Sequence, residues 1–327
     1  MKNIYTDLAT ETRDLLLEDS EKEEIEGVKF KTFNDDEYNI KIHFIEIINE
    51  KGEESMGKAI GNYITLESDD LKTSDIDAHE RIIKVLADEL SKLHNLSETG
   101  SALIIGLGNW NVTPDALGPK VISKILVTRH IKDTLPDGIK NSLRYVSALA
   151  PGVLGITGVE TKETVKGLVE RVKPDLVIAV DALAARNVSR INATIQLSDT
   201  GIAPGSGLGN NQKHLSMDTL GVKVIAIGVP TVVSAATLIN DSLDKILEEM
   251  IKECEEGSSF YEMLNSLSSQ EKHSLITNIL NPYDGNMFVT PKDVDSVIDR
   301  LSNIIANAIN ISLHPGITKD DINRYMY

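Results

Sequence analysis

Residues 176–181 are Leu176-Val177-Ile178-Ala179-Val180-Asp181, five consecutive apolar residues followed by an acid. A short continuous apolar run is typical of a strand buried on both faces of a parallel sheet. Comparable runs occur at 102–106, which ends in glycine, and at 222–227. Because stretches with helical spacing separate these runs, the sequence predicts an α/β fold: a doubly wound, mostly parallel sheet with helices on both faces.

The rest of the chain is assigned outward from these runs. Further strands are predicted at 40–48, 59–66, 125–128 and 145–150. Helices are predicted at 74–95, capped by Ser74, at 163–172, and at 290–308, capped by Thr290. Pro230 is placed to open a helix, and residues from about 241 to 327 are predicted to form a mostly helical extension. The acidic first 40 residues show little pattern, and polar residues 255–275 are interpreted as a connection.

Composition limits the classes of function. The 327 residues carry a net charge of −17, which argues against a protein that grips nucleic acid through its phosphates. The single cysteine, Cys254, allows no disulfide within the chain and lies among acids that disfavour its thiolate. This cysteine usage fits a reducing cytoplasm. The first residues contain no apolar segment typical of a secretory signal. The sequence has no run of about 18 apolar residues, the length that would predict a membrane span.

Two aspartates follow predicted strands. Asp181 comes directly after one strand, and Asp115 lies in the loop after residues 102–106. Ligands bind at the carboxyl ends of strands in open parallel sheets, so the two carboxyl groups can face one cleft. Two neighbouring carboxyl groups do not ionise easily together, so one can act as an acid while the other, as a base, activates a water. Both residues also have structural interpretations: Asp115 in a first helical turn after Pro114, and Asp181 as a cap or partner of Arg186.

Weaker motifs accompany this pair. Arg129 and His130 follow the predicted strand 125–128 and could bind substrate. The glycine-dense segment 198–210 contains Gly205 and Gly207, whose backbone amides could approach a substrate. The same segment holds Asp199-Thr200-Gly201, a short match to pepsin-type enzymes, but Ser206 has no Gly-x-Ser-x-Gly elbow.

Several blocks together resemble the germination proteases of spore-forming Bacillus and Clostridium relatives. These blocks lie at 56–67, 106–119, 126–130, 147–161, 173–190, 198–210 and 220–233. The resemblance implies an α/β fold similar to hydrogenase-maturation endopeptidases and places the family's catalytic aspartates on Asp115 and Asp181. It also implies a homotetrameric enzyme of the forespore cytoplasm that degrades small acid-soluble spore proteins during germination.

The same resemblance implies an inactive zymogen that cuts itself near its N-terminus. The family's substrates are cut after the first Glu of a Glu-Ile/Phe-Ala-Ser-Glu type site. Residues 6–11, Thr-Asp-Leu-Ala-Thr-Glu, are similar to that site. We therefore predict cleavage between Asp7 and Leu8, which divides the chain into a propeptide at 1–7 and one peptidase domain at 8–327.

Other classes of function are weighed against this hypothesis. A metal-dependent peptidase could use the same two aspartates as ligands, although no His ligand is evident beside them, and no cofactor is predicted. A nucleotide-binding domain could use Gly106-Leu107-Gly108, but Asn111 replaces the third glycine of the dinucleotide fingerprint. A non-enzymatic binder of spore proteins is the remaining alternative.

Overall fold

The computed structural model describes residues 6–18, 24–35, 38–203, 214–253, 258 and 287–321. Its strands are β1 Val28–Asp35, β2 Ile40–Ile47, β3 Gly61–Glu67, β4 Ser101–Gly106, β5 Tyr145–Leu149, β6 Leu176–Ala185, β7 Thr194–Ser198, β8 Lys223–Ser234 and β9 Phe288–Val289. Its helices are α1 Ala9–Glu18, α2 Glu50–Met56, α3 Ile76–His94, α4 Leu117–Ile122, α5 Asp137–Lys140, α6 Leu154–Thr157, α7 Thr161–Val172, α8 Met217–Leu220, α9 Ala235–Glu253 and α10 Val294–Leu313.

The nine strands found among the described residues form one sheet in the order β1-β2-β3-β7-β8-β6-β4-β5, with β9 added to β8. The half containing β8, β6, β4 and β5 is parallel, as predicted. The other half is antiparallel, from β1 through β2, β3 and β7 to β8, and β9 is antiparallel to β8. The expectation of a mostly parallel sheet is therefore wrong, and the sheet is mixed. The link from Asp35 to Ile40 explains the antiparallel pairing of β1 with β2, because it is too short for the crossover that parallel pairing needs.

Helices cover both faces of the sheet, as predicted. Alternating residues of β6 face opposite sides: Leu176, Ile178 and Val180 join one buried cluster with α3 and α10. Val177, Ala179 and Leu183 join a second cluster with α7 and α8. This alternation explains why residues 176–180 are apolar without a break, since neither face of this part of the strand meets water. Leu8 belongs to the second cluster and is fully buried.

Two local predictions around the parallel strands are wrong. Residues 125–128 are not a strand, because the amides of both Thr128 and Arg129 donate to the same carbonyl, that of Val146, so no ladder continues. Pro230 lies inside β8 and does not open a helix; α9 begins at Ala235. Proline is tolerated there because the pairing with β6 is irregular between Leu183 and Ala184, and a bulge relieves the missing donor.

The predicted helices are confirmed, with shifted caps. Asp75, not Ser74, caps α3, since its carboxylate accepts the amide of Ala78 at 3.1 Å. Asp293 precedes α10, while the hydroxyl of Thr290 donates to the carbonyl of Thr231. Both α1 and β1 lie in the first 40 residues, where no element was predicted.

Several predictions cannot be compared with this structure. Residues 255–275, apart from Ser258, and Cys254 lie outside the described residues. Similarity to hydrogenase-maturation endopeptidases stays a prediction. Within the part of the chain that the structure describes, no helix is long and apolar enough to span a membrane.

Candidate active site

Asp181 lies within β6 and not at its end, which corrects the prediction from sequence. The strand continues to Ala185 because the small apolar residues after Asp181 keep pairing with β8. On the other side, β4 stops earlier, and its last pair joins Gly106 to Val180. Asp181 is therefore the first residue of β6 beyond the end of β4. A side chain at this step in the sheet stands at the carboxyl edge, where parallel sheets place their sites.

Asp115 reaches the same edge on the loop that follows β4. The amide of Leu107 donates to the carbonyl of Val180 at 2.8 Å, which fixes the start of this loop to β6. Gly118, at its end, approaches the same strand so closely that an added Cβ would lie 2.6 Å from the Val180 oxygen. The loop thus contacts Val180, the residue before Asp181, at both its start and its end.

The carboxylate of Asp115 is held by the loop itself. It accepts the amide of Asn109 at 2.8 Å, and the same amide lies 3.1 Å from the Asp115 carbonyl oxygen. Residues 113–115 form a single 3-10 turn with Pro114 as its second residue, so the predicted turn is present. Thr113 does not cap it; Val112 occupies the cap position without a side-chain hydrogen bond.

The two carboxyl groups differ in environment. Asp181 is 6% exposed, and burial raises its pKa well above the ordinary value. The negative charges of Asp115 and, more weakly, Asp7 raise this pKa further, while the amide of Ala182, 2.9 Å from Oδ1, opposes them. Burial also raises the pKa of Asp115, which is half-buried, and its bond from Asn109 opposes that effect. Asp181 is therefore the group that holds a proton more readily.

The N-terminal segment is docked against β6, the strand that carries Asp181. The amide of Asp7 donates to the carbonyl of Ala184 at 3.1 Å, and the amide of Ala184 donates to the Asp7 carboxylate at 2.9 Å. Leu8 is fully buried in the cluster on the α7 side of the sheet. The bond predicted to be cut, between Asp7 and Leu8, is thus fixed against β6 three residues beyond Asp181.

Glu11 fixes the other end of the segment. Its carboxylate accepts the backbone amides of Arg186 at 2.7 Å and Asn187 at 2.8 Å, and also the hydroxyl of Thr6. Arg190 donates to the hydroxyl of Thr10 at 2.5 Å. Residues 6–11 therefore lie along the last part of β6 and the turn that follows it.

Two further side chains, Lys58 and Gln196, contact the carbonyl oxygen of Asp7. The Nζ of Lys58 lies 3.0 Å from it, and the Nε2 of Gln196 lies 3.3 Å from it. Sequence reasoning assigned neither residue. Gln196 could have been noticed as a polar residue in the apolar run at 194–197, whereas no pattern distinguishes Lys58 from other lysines.

Arg129 and His130, the two weaker candidates that the structure describes, are not brought to the aspartates. Arg129 and His130 are exposed, and Arg129 lines a cavity of about 320 Å³ with Ser101 and Tyr145, at the amino ends of β4 and β5. Gly205 and Gly207 lie outside the described residues. Asp199 accepts the backbone and side-chain amides of Asn62 at 2.8 and 2.7 Å, so it joins β7 to β3.

A metal site needs several donor side chains close together. In the ranges that the structure describes, no three His, Cys, Asp or Glu residues are grouped as a metal site would require. Asp115 and Asp181 provide two carboxylates, and both have raised pKa values, which disfavours the ionised form that binds a cation.

Comparisons with known proteins match nearly the whole chain. The profile of a family described as "Germination protease" matches residues 6–264 and 254–326. A germination protease of Clostridium tetani is 49% identical over 324 residues, which cover 99% of each chain. That of Clostridium acetobutylicum is 49% identical over 329 residues and 100% of each chain. That of Bacillus subtilis is 43% identical over 357 aligned positions, covering 98% of this chain and 96% of the relative.

Proposed function

Because this chain belongs to the germination protease family and is therefore a peptidase, we propose that it is an endopeptidase in which Asp115 and Asp181 activate a water. One observation carries this proposal: a buried carboxyl group, Asp181, stands beside a second one, Asp115, whose charge raises its pKa. A pair of this kind shares one proton, which provides an acid and a base at the same pH.

The roles follow from the two environments. Asp181 holds the proton and acts as the acid, while Asp115, less buried, acts as the base. Asp115 removes a proton from water as its oxygen attacks the peptide carbonyl carbon. Asp181 then donates its proton to the leaving nitrogen as the C–N bond breaks. The pair gains one proton and loses one, so it is ready for another turnover once the proton returns to Asp181.

The chain itself is the first substrate in this proposal. The docking of residues 6–11 supports self-cleavage between Asp7 and Leu8, since it fixes that peptide bond against β6, the strand that carries Asp181. It also supports inhibition before the cut, because a segment lying on β6 excludes another peptide from the same place. The propeptide is then 1–7, and the peptidase domain is 8–327.

The wider biology follows from the family name. We propose that the substrates are small acid-soluble spore proteins, degraded during germination in the forespore cytoplasm by a homotetramer. Light scattering on the purified chain tests the tetramer directly.

Digestion of a small acid-soluble spore protein by the purified chain at mildly acidic pH tests the mechanism. We expect fragments from the wild type and a loss of at least about 10³-fold in rate for Asp115→Asn and Asp181→Asn. Asp88→Asn is the matched control, because Asp88 is an exposed residue of α3. Equal rates for wild type and the two site variants would refute the aspartate mechanism. Loss of activity with a chelator would favour the metal-dependent alternative.

A further inference from the structure

The carbonyl oxygen of Asp7 receives two side-chain hydrogen bonds. Lys58 Nζ donates at 3.0 Å and Gln196 Nε2 donates at 3.3 Å. This oxygen belongs to the peptide bond predicted to be cut. Two donors converging on one carbonyl oxygen are the arrangement that stabilises an oxyanion when a nucleophile attacks the carbon.

Gln196 contacts the backbone on both sides of Leu8. While Nε2 donates to the carbonyl of Asp7, Oε1 accepts the amide of Ala9 at 2.7 Å. Gln196 is 8% exposed and lies on β7, at the centre of the sheet, so its position is fixed by the strand. Its side-chain amide thus binds the peptide as a neighbouring strand would, and it leaves the side chain of Leu8 in the core.

Lys58 reaches the same carbonyl oxygen from the C-terminal end of α2. It follows Gly57, whose left-handed conformation ends α2 and directs the chain back toward the site. Burial lowers the pKa of Lys58, while the charges of Asp7 and Glu11 oppose that effect. These two acids therefore favour the charged form of a half-buried lysine. A cation in such a position interacts with a developing negative charge more strongly than it would in solvent.

We propose that Lys58 is a catalytic residue whose ammonium group stabilises the oxyanion formed at the Asp7 carbonyl, with Gln196 as the second donor and as the residue that positions the bond. This inference rests on the proposed self-cleavage between Asp7 and Leu8. When the water oxygen bonds to the carbonyl carbon, the electron pair of the C=O bond moves to the oxygen that Lys58 and Gln196 contact. When the C–N bond breaks, that pair re-forms the C=O bond, and the protons move only through the aspartates.

The same two donors are available to other substrates. After residues 1–7 leave, Lys58 and Gln196 face the place where the carbonyl oxygen of the next peptide would lie. The inference therefore covers cleavage of a separate peptide, for which a synthetic copy of residues 1–14 of this chain is a defined probe.

Lys58→Met is the variant that tests this inference. We expect its self-cleavage, followed by intact mass, to be about 100-fold slower than that of the wild type. Lys51→Met is the matched control, since Lys51 is an exposed residue of α2 paired with Glu26, and it should cut at the wild-type rate. On the synthetic peptide, the processed Lys58→Met enzyme should lose kcat with little change in KM. Lys58→Arg, which keeps a cation, should recover part of the rate, and it replaces Lys58→Met if that variant does not fold.

Hydrogen exchange separates catalysis from anchoring. We expect the backbone amides of Asp7 and Ala9 to keep their protection from hydrogen exchange in Lys58→Met, because their acceptors are Ala184 and Gln196. A slow variant whose segment 6–11 exchanges freely would show that Lys58 only anchors the segment, and would overturn the inference. Wild-type rates in Lys58→Met would overturn it as well while leaving the aspartate mechanism intact. A wild type that does not cut after Asp7 would refute the proposed self-cleavage, and this inference with it.

Discussion

Asp7 and Ala184 are joined by two hydrogen bonds, from the amide of Asp7 to the carbonyl of Ala184 and from the amide of Ala184 to the carboxylate of Asp7. Asp7 thus forms hydrogen bonds to Ala184 of β6 with both its backbone and its side chain. Ala184 lies three residues beyond Asp181, so the pairing sets the register of the N-terminal segment against the aspartates. A carboxylate at position 7 satisfies this amide, which accounts for an acid before the predicted cut.

Glu11 is expected to control the docking of the segment. In Glu11→Gln one of the two amides of Arg186 and Asn187 would face an NH₂ group in place of an oxygen, which leaves a partly buried donor without its acceptor. We expect a loss of about 1–3 kcal/mol in the stability of the docked segment. Self-cleavage should slow about tenfold or more, measured by intact mass over time. Glu18→Gln, at the exposed end of α1, is the control. An unchanged rate in Glu11→Gln would mean that the segment is positioned without this carboxylate.

Gly108 is expected to be essential for the placement of Asp115. Its φ is +107°, and an added Cβ would lie 2.0 Å from the carbonyl oxygen of Asp115. Gly108→Ala should therefore displace the loop and reduce the cleavage rate more than tenfold. Gly167→Ala is the matched control, because Gly167 lies in α7 with open space around its Cβ position. That change should leave the rate intact and raise stability by about 0.5–1 kcal/mol. A fully active Gly108→Ala would show that the loop tolerates movement of Asp115.

The raised pKa of Asp181 predicts how stability depends on pH. A group whose pKa is higher in the folded than in the unfolded state binds more protons when folded, so its ionisation opposes folding as the pH rises through the unfolded value. Asp181→Asn removes this penalty and should be more stable than the wild type at pH 7. The difference should shrink as the pH falls from the raised pKa of Asp181 toward the ordinary carboxyl value, and it should vanish below that value. Thermal denaturation at several pH values measures it, and a wild type that is the more stable protein at pH 7 would contradict the prediction.

The parallel half of the sheet could be predicted because its strands are buried on both faces. Each of β4, β6 and β8 contains a mostly apolar stretch, and each prediction of a strand there is confirmed. The antiparallel half was harder to recognise. In β1, most side chains are exposed and the strand lies at the sheet edge, so its sequence has no apolar run. The extension of β6 beyond Asp181 depends on pairing with β8, which no pattern within β6 shows.

The two aspartates could be proposed from sequence because each follows an apolar run, and the structure places both at one edge of the sheet. The groups around the Asp7 carbonyl could not be proposed in this way. Lys58, Gln196 and Ala184 come from α2's C-terminal end, β7 and β6, and only the fold brings them together. The hydrogen bond from Lys58 joins residues 51 positions apart in the chain, and a separation of that size leaves no local spacing to detect.

The most direct test of the account is the intact mass of the purified chain during incubation at mildly acidic pH. We expect the wild type and Asp88→Asn to lose residues 1–7 and to gain a new N-terminus at Leu8. We expect Asp115→Asn and Asp181→Asn to keep their full length under the same conditions. Appearance of the Leu8 terminus at the wild-type rate in either of these variants would contradict the claim that the two aspartates cut this bond.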